Sequence, residues 1–523
     1  MTKSLLPQRR RRSIIDFPLI RLDRAAPEPL HQQLCRQIRQ ELASGNFGDR
    51  ASRLPSSRAL AADLRVSRET VDLAFAKLHA EGYLQSRIGS GTFVADPLPE
   101  TFLSVKQPKT PRASERPPRM AERLRQIHDR RGRKELDVGR GGGDKVSLRP
   151  GLPAVDEFPI DIWERLRAET LAKKGANLLR YATPHGDLDL REAVAAYLCD
   201  SRGARCHAEQ IVIVGGMQQA MAVSALALLD PGDTAWIEDP GFVQARRVFG
   251  LVGASVVPRS IDREGIVIAR SSRLAPPKMI FVTPSHQFPL GVTMSLARRI
   301  ALIDFARKRD AFIFEDDYNS EFRFNGPPLP CLQGLDDVGR VIYAGTMSKI
   351  LFPSLRLGYL VVPEPLVDSM IKIRAVMDQH SSAIDQATLA RFLTEGFFLS
   401  HVKRMRKLYG ERREYFVEQF NKYLGEHLTV KIPEAGLHFV ARLRRKSDFP
   451  FFVQARSETG IVPTKMSFYC IEAKAGPTFL FGFAAWSPAQ IREGLAKLAL
   501  AFERLRKAGE SAANPDELDP RSE

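Results

Sequence analysis

Leu30, Leu34, Ile38 and Leu42 recur every fourth residue among polar neighbours, which predicts one apolar helix stripe ending near Gly45. A short helix is predicted next, through Arg58 to Leu64. Ser67 then suits an N-cap, and Val71, Ala74, Phe75 and Leu78 follow at the i, i+3, i+4, i+7 spacing of a helix face. Two short helices joined by a tight turn make a helix-turn-helix. Gly82-Tyr83-Leu84 and Gly89-Ser90-Gly91-Thr92-Phe93-Val94 then read as a hairpin.

From about residue 146 the pattern changes. The apolar runs IVIV (211–214), TAWI (234–237), MIFV (279–282), AFIF (311–314), VIYA (341–344) and YLVV (359–362) alternate with helical stretches. That alternation predicts an α/β domain whose mainly parallel sheet is covered by helices. Between the two zones PKTPRASERPPRM has little to bury and reads as an extended linker, with AERLRQIHDRR as a brief helix at most. The expected division is therefore 13–95 (helix-rich module), 96–145 (linker), 146–506 (large domain) and 507–523 (polar tail), with no internal repeat.

Length agrees, since 523 residues exceed what one hydrophobic core holds. No run of about 18 apolar residues predicts a membrane span. The opening MTKSLLPQRRRRS carries charge with no apolar stretch behind it, so it does not read as a secretory signal. Cys35, Cys199, Cys206, Cys331 and Cys470 are scattered and show no metal spacing, so no metal is expected and the thiols read as reduced, in a cytoplasm. Net charge is 78 − 61 = +17, which suits a polyanionic partner. The excess is concentrated early, at Arg9 to Arg12, Arg50, Arg53, Arg58, Arg65 and Arg68. The Arg9–Arg12 run reads as a loose tail or as a phosphate contact.

Chemistry gathers where the predicted strands end, the place where open α/β sheets bind ligands. After IVIV come Gly215-Gly216-Met217-Gln218-Gln219, opening a helix whose free N–H groups could cradle a phosphate. After AFIF come Glu315-Asp316-Asp317-Tyr318. After VIYA come Gly345-Thr346-Met347-Ser348-Lys349, then Pro353 and Arg356. A lysine among small hydroxyl residues at a strand end could form a Schiff base.

The string LPSSRALAADLRVSRETVDLAFAKLHAEGYLQSRIGSGTFVAD resembles the GntR-type winged helix-turn-helix. The resemblance implies binding to double-stranded operator DNA. Ser67, Arg68, Glu69 and Thr70 would sit in the first turn of the recognition helix, where arginine can read guanine. Arg58 would contact phosphate, and Gly89 would let the wing approach the backbone. RPGLPAVDEFP, YATPHGDLDLREAVAAYL, IVGGMQQA, EDPGF, TPSHQFPLG, FEDDYNSEFRF and GTMSKILFPSLRLGYLV resemble the fold-type I aminotransferases, and above all the MocR-like regulators that join the two modules. This implies a small C-terminal α+β part after the main sheet, and pyridoxal 5′-phosphate as cofactor. Lys349 would carry the cofactor and act as the catalytic residue. Asp316 would pair with the pyridine nitrogen, with Asp317 as the fallback. Tyr318 would reach the phenolic oxygen, and Phe242 would stack on the ring. Met217, Gln218, Thr346 and Arg356 would hold the phosphate. Tyr181 would reach across from a second copy, which implies a homodimer.

Two departures bear on turnover. Phe288 follows Gln287 where many aminotransferases place Asn before Pro, a habit that MocR-like chains share. In Thr478-Phe479-Leu480-Phe481-Gly482-Phe483, Leu480 stands where relatives place the arginine that holds a substrate carboxylate. Three readings follow. The first is a regulator that senses its cofactor or a small amine or amino acid, with weak or no transaminase turnover. The second is a working aminotransferase that also binds DNA, and the third a regulator whose large domain only dimerises. The Lys349 cluster argues against the third; Leu480 and the fused module argue against the second. Arg246 is the arginine that could substitute for the missing one.

Overall fold

The computed structural model describes residues 20–44, 52–87, 89–96, 98, 119, 121, 146–268, 275–324, 326 and 329–513. Gly45, Arg50, the Arg9–Arg12 run, nearly all of the linker and the end of the tail lie outside these. The chain divides into two units, Met1–Pro118 and Arg119–Glu523.

In the first unit, α1 (Leu30–Ser44), α2 (Ser57–Asp63) and α3 (Arg68–Ala80) precede a hairpin of β1 (Leu84–Arg87) and β2 (Gly91–Val94). Leu34, Ile38 and Leu42 meet Val71, Ala74, Phe75 and Leu78 in one buried cluster, so the two predicted stripes face each other. Ser56 and Ser67 cap α2 and α3 by accepting the N–H of Ala59 and Thr70. The hairpin pairs Leu84 with Val94 through to Arg87 with Gly91.

The second unit is built on an eight-stranded sheet, in the order β3-β10-β9-β8-β7-β4-β5-β6. These are β3 (Ile211–Val214), β4 (Thr234–Asp239), β5 (Ser255–Asp262), β6 (Gly265–Ile266), β7 (Met279–Val282), β8 (Phe312–Asp317), β9 (Val341–Thr346) and β10 (Gly358–Val361). Strands β4, β5, β7, β8 and β9 pair in parallel, whereas β10 runs against both neighbours and β6 against β5. Apolar clusters lie on both faces, as continuous apolar strands require. Four helices matter for the site: α4 (Leu188–Arg202), α5 (Met217–Leu228), α6 (Val243–Leu251) and α7 (Leu296–Arg309).

The last part is a four-stranded antiparallel sheet, β11 (Leu428–Lys431), β12 (His438–Leu443), β14 (Thr478–Gly482) and β13 (Thr464–Lys465) in spatial order. Phe439, Phe479 and Phe481 point to one face of it and pack on Phe416, Phe452 and Phe502 from the covering helices. The last helix, Pro488–Ala513, runs into the stretch read as polar tail from residue 507, which corrects that boundary for the residues described. Among the described residues no helix is long and apolar enough to cross a membrane, and no three metal-ligating side chains gather.

Candidate functional site

The DNA-facing candidates lie on the first unit's exposed side. Arg58 on α2 and Arg68 and Glu69 at the start of α3 are exposed. Arg68 Nε lies 3.4 Å from Asp72 Oδ2, a solvent-screened pair that a phosphate or base edge can displace at small cost. The Ser67 and Thr70 hydroxyls meet each other at 2.8 Å and close the cap, so both are already engaged in holding the helix end. Gly89 sits at the hairpin turn with φ +72 and nothing within 4 Å of where a Cβ would stand. Two wing cations escaped the sequence reading of this site. Arg53 packs within 3.0 Å of where a Gly91 Cβ would stand, and Arg87 lies 4.8 Å from the Phe93 ring centre. Arg87 had a sequence signal, its place in the hairpin; Arg53, some 30 positions earlier, had none.

In the second unit, Lys349 follows β9 and is half-buried, and its Nζ donates to the Gly151 carbonyl at 2.6 Å. Burial lowers its pKa, opposed by the charge of Asp316, which favours the neutral, nucleophilic amine. Asp316, one residue before the end of β8, is 3 % exposed, and its buried Oδ1 has no partner. Burial first, then Asp317 and Glu238, pushes its pKa far up. Asp317 is committed elsewhere: Oδ2 meets Arg202 Nε at 3.2 Å and accepts from Ser320 at 2.6 Å and Tyr343 at 2.8 Å. Adjacent strand residues point to opposite faces, so only Asp316 is placed beside the lysine.

Around the head of α5, Gly216 takes φ +95 and caps the helix with no side chain, leaving the first N–H groups open to a ligand. The Arg356 guanidinium lies 3.3 Å from where a Gly216 Cβ would stand and donates to the Gly215 carbonyl at 2.7 Å. Met217 and Gln218 open this helix; Gln218 is exposed, while Gln219 folds back to accept the Gly215 N–H at 2.6 Å. Thr346 accepts the Ser348 N–H at 3.2 Å, and the buried Ser348 hydroxyl has no partner. Gln219 and Ser348 were not among the predicted site residues, although both stand in the quoted motifs. Phe242 caps α6 and lies 6.0 Å from Phe288, edge to face. Tyr318 donates to the His286 carbonyl at 3.0 Å, a bond it would have to share or surrender to reach a cofactor oxygen. Tyr181 is 89 % exposed beside His380.

Glu238, at the end of β4, was missed too. It is 1 % exposed, accepts from Thr283 Oγ1 at 2.6 Å and Gln287 Nε2 at 3.2 Å, and leaves Oε1 without a partner. Burial pushes its pKa up to about 7. Gln287 therefore serves this carboxyl, while Phe288 turns its ring to Tyr318 and Tyr469 at 5.9 and 5.0 Å.

A buried carboxyl oxygen lacking a partner, an amine whose pKa burial lowers, an uncapped helix head with a guanidinium beside it and an unpartnered hydroxyl together suit a planar cation-bearing ring that carries a phosphate. The donor set fits pyridoxal 5′-phosphate.

Residues 30–94 match the family described as bacterial regulatory proteins of the gntR family, and residues 145–498 match aminotransferase class I and II. The chain is 38 % identical over 93 % of its length, and 97 % of the relative's, to the probable rhizopine catabolism regulatory protein MocR of Rhizobium meliloti. It is 30 % identical over 93 %, and 98 % of the relative's length, to the pyridoxine biosynthesis transcriptional regulator PdxR of Corynebacterium glutamicum. Among solved structures, a multiple substrate aminotransferase from Thermococcus profundus matches with TM-score 0.64 at 26 % identity, over 74 % of this chain and 98 % of that one.

Proposed function

The chain belongs to the MocR-like regulators, in which a GntR-type module precedes an aminotransferase class I and II domain, and from that premise we propose that the large unit senses a small amine at Lys349 and sets the spacing of paired DNA-binding modules. The protein is a DNA-binding transcription regulator whose large domain binds pyridoxal 5′-phosphate. When bound, that group supplies an electrophilic carbon for amines and an electron-withdrawing ring.

The residues divide the work of holding it. Lys349, whose pKa burial lowers, provides the attaching amine. Asp316 supplies a carboxylate for the ring nitrogen, and the protonated ring in turn relieves a carboxyl that is buried without a partner. The N–H groups of Met217 and Gln218, the hydroxyls of Thr346 and Ser348 and the Arg356 fork bind the phosphate. Phe242 covers the ring and Tyr318 orients its oxygen. Tyr181, exposed in the single chain, completes the cradle of a second copy, so the regulator works as a homodimer. Arg58, Ser67, Arg68, Glu69, Thr70 and Gly89 present the DNA-binding surface. The domain boundaries 13–95 and 146 onward serve this reading, and a cytoplasmic location follows from an operator as partner.

The observation that carries the proposal is a lysine bonded to the Gly151 carbonyl, with its pKa lowered by burial, close enough to feel the charge of Asp316, a buried aspartate whose Oδ1 has no partner. Purified protein supplied with pyridoxal phosphate should turn yellow, and borohydride should fix one cofactor mass on the peptide containing Lys349. A colourless protein without that adduct leaves a winged-helix regulator whose large domain only dimerises. Multiple turnovers with α-amino acids above roughly 1 per second would make it an aminotransferase that binds DNA; Leu480 argues for much less.

A further inference from the structure

We infer that the ligand side of the Lys349 pocket takes a primary amine that carries no carboxylate and whose body is uncharged. This rests on the reading of Lys349 as the cofactor-bearing residue. Strand β14 alternates: Phe479 and Phe481 enter the helix-covered core, so Leu480 and Gly482 belong to the other face. On that face Leu480 sits between Val440 and Thr464, and Gly482 stands opposite His438.

Two contacts tie this face to the lysine. The backbone of Arg149 and Pro150 closes over Gly482, and the next residue, Gly151, accepts the Lys349 bond. His438 lies 5.6 Å from His286 and 5.5 Å from Phe288, and the Lys349 charge acts on it. Leu480 is fully buried, so an aliphatic group fills the position from which a cation would have to reach. The two histidines do not replace it: burial drives His286 down to about 3 and His438 down to about 4, so both are neutral near pH 7. The cations nearest the two histidines, Lys431 and Arg323, act on His286, and Lys349 itself is acted on by Asp316. Arg323 pairs with Glu434, and Arg149 acts on Arg456, which lies over Phe479 on the opposite face. Arg246 already has a partner. A carboxylate entering here would shed its water and find no cation at the Leu480 position to pair with. An uncharged body meets instead the rings of Phe288, Tyr318 and Tyr469.

With the cofactor attached at Lys349, a primary amine arriving neutral would displace the lysine and hand one proton to Nζ, with nothing oxidised or reduced.

The test titrates cofactor-loaded full-length protein with matched pairs, 2-phenylethylamine against L-phenylalanine and ethanolamine against L-serine. The visible spectrum and the melting temperature are both read. In each pair the member without carboxylate should half-saturate at a concentration at least about tenfold lower. Leu480→Arg should shrink that ratio about tenfold, while Leu480→Met, which keeps the volume, should leave it. Equal or tighter binding of the amino acids by the wild type overturns the inference. If Arg247→Ala then abolishes that binding, the clamp is Arg247, whose buried Nε and Nη1 have no partner. A band that no member of any pair alters also overturns the inference, yet leaves Lys349 as the cofactor-bearing residue. Absence of any band before amine is added defeats that prior reading itself.

Discussion

At the scale of single residues, the two neighbouring aspartates make opposite predictions. Asp317 is buried in an ion pair with Arg202, so Asp317→Asn leaves a buried guanidinium short of charge and should cost about 3–5 kcal/mol in the apoprotein. Asp316 has no such partner, so Asp316→Asn should leave apoprotein stability unchanged or raised, while weakening cofactor retention. Urea unfolding of both variants separates them, and similar losses would remove the distinction drawn between the two. Glu238 adds a pH dependence. Its pKa rises from an ordinary 4.5 to about 7 on folding, through burial. Between those values the folded chain keeps a proton that the unfolded chain has lost, so this group's contribution to stability falls as pH rises, and is flat above. Glu238→Gln apoprotein should therefore gain on wild type from pH 4.5 to 7, by about 3 kcal/mol at most. A difference that does not vary with pH would contradict the burial argument.

At the scale of elements, α3 is a folded helix and, in the proposed function, a reading head, and the two roles come apart on substitution. Ser67 caps it through the Thr70 N–H, so Ser67→Ala should cost about 1 kcal/mol of stability in the first unit. Arg68 is exposed and its ion pair is with the similarly exposed Asp72, so Arg68→Ala should spare the fold but relax base preference, at about 1–3 kcal/mol on the cognate site. Arg58→Ala should weaken all sequences alike. Equal loss for Arg68→Ala on cognate and random DNA would take it out of base reading. The helix stripes and the Ser67 cap were legible because a period of 3.6 and a capping hydroxyl are local signals. Arg53 was not, because it reaches Gly91 only after the hairpin has folded back on it.

At the scale of the whole molecule, charge and pairing matter most. With a net charge of +17 the affinity for any duplex should fall steeply with salt, since each phosphate neutralised releases counterion. Binding that barely changes between low and high salt would oppose a phosphate-dominated interface. Tyr181, at 89 % exposure, is a large aromatic left in water by one chain alone. Sedimentation should show a dimer, and Tyr181→Ala should loosen the cofactor more than it loosens the dimer, because one side chain is a small part of such an interface.

The sequence by itself determined the two-module plan, the apolar runs that become β3, β4 and β7 to β10, and the lysine that follows β9, because periodicity, strand-end position and short motifs are properties of neighbours in the chain. It named Asp316 with Asp317 as the fallback, and gave no sign that Glu238 would lie close enough to raise the pKa of Asp316. Those outcomes depend on which face of a strand a residue takes and on what other segments bury it. Arg202, more than 100 positions before Asp317 in the chain, claims one carboxylate and thereby leaves the other for the lysine. Likewise Leu480 was a departure in a motif until the register of β12, β13 and β14 placed it on the face that carries His438. Charge, burial and partner choice are decided by segments distant in sequence, and only the tertiary structure brings those together.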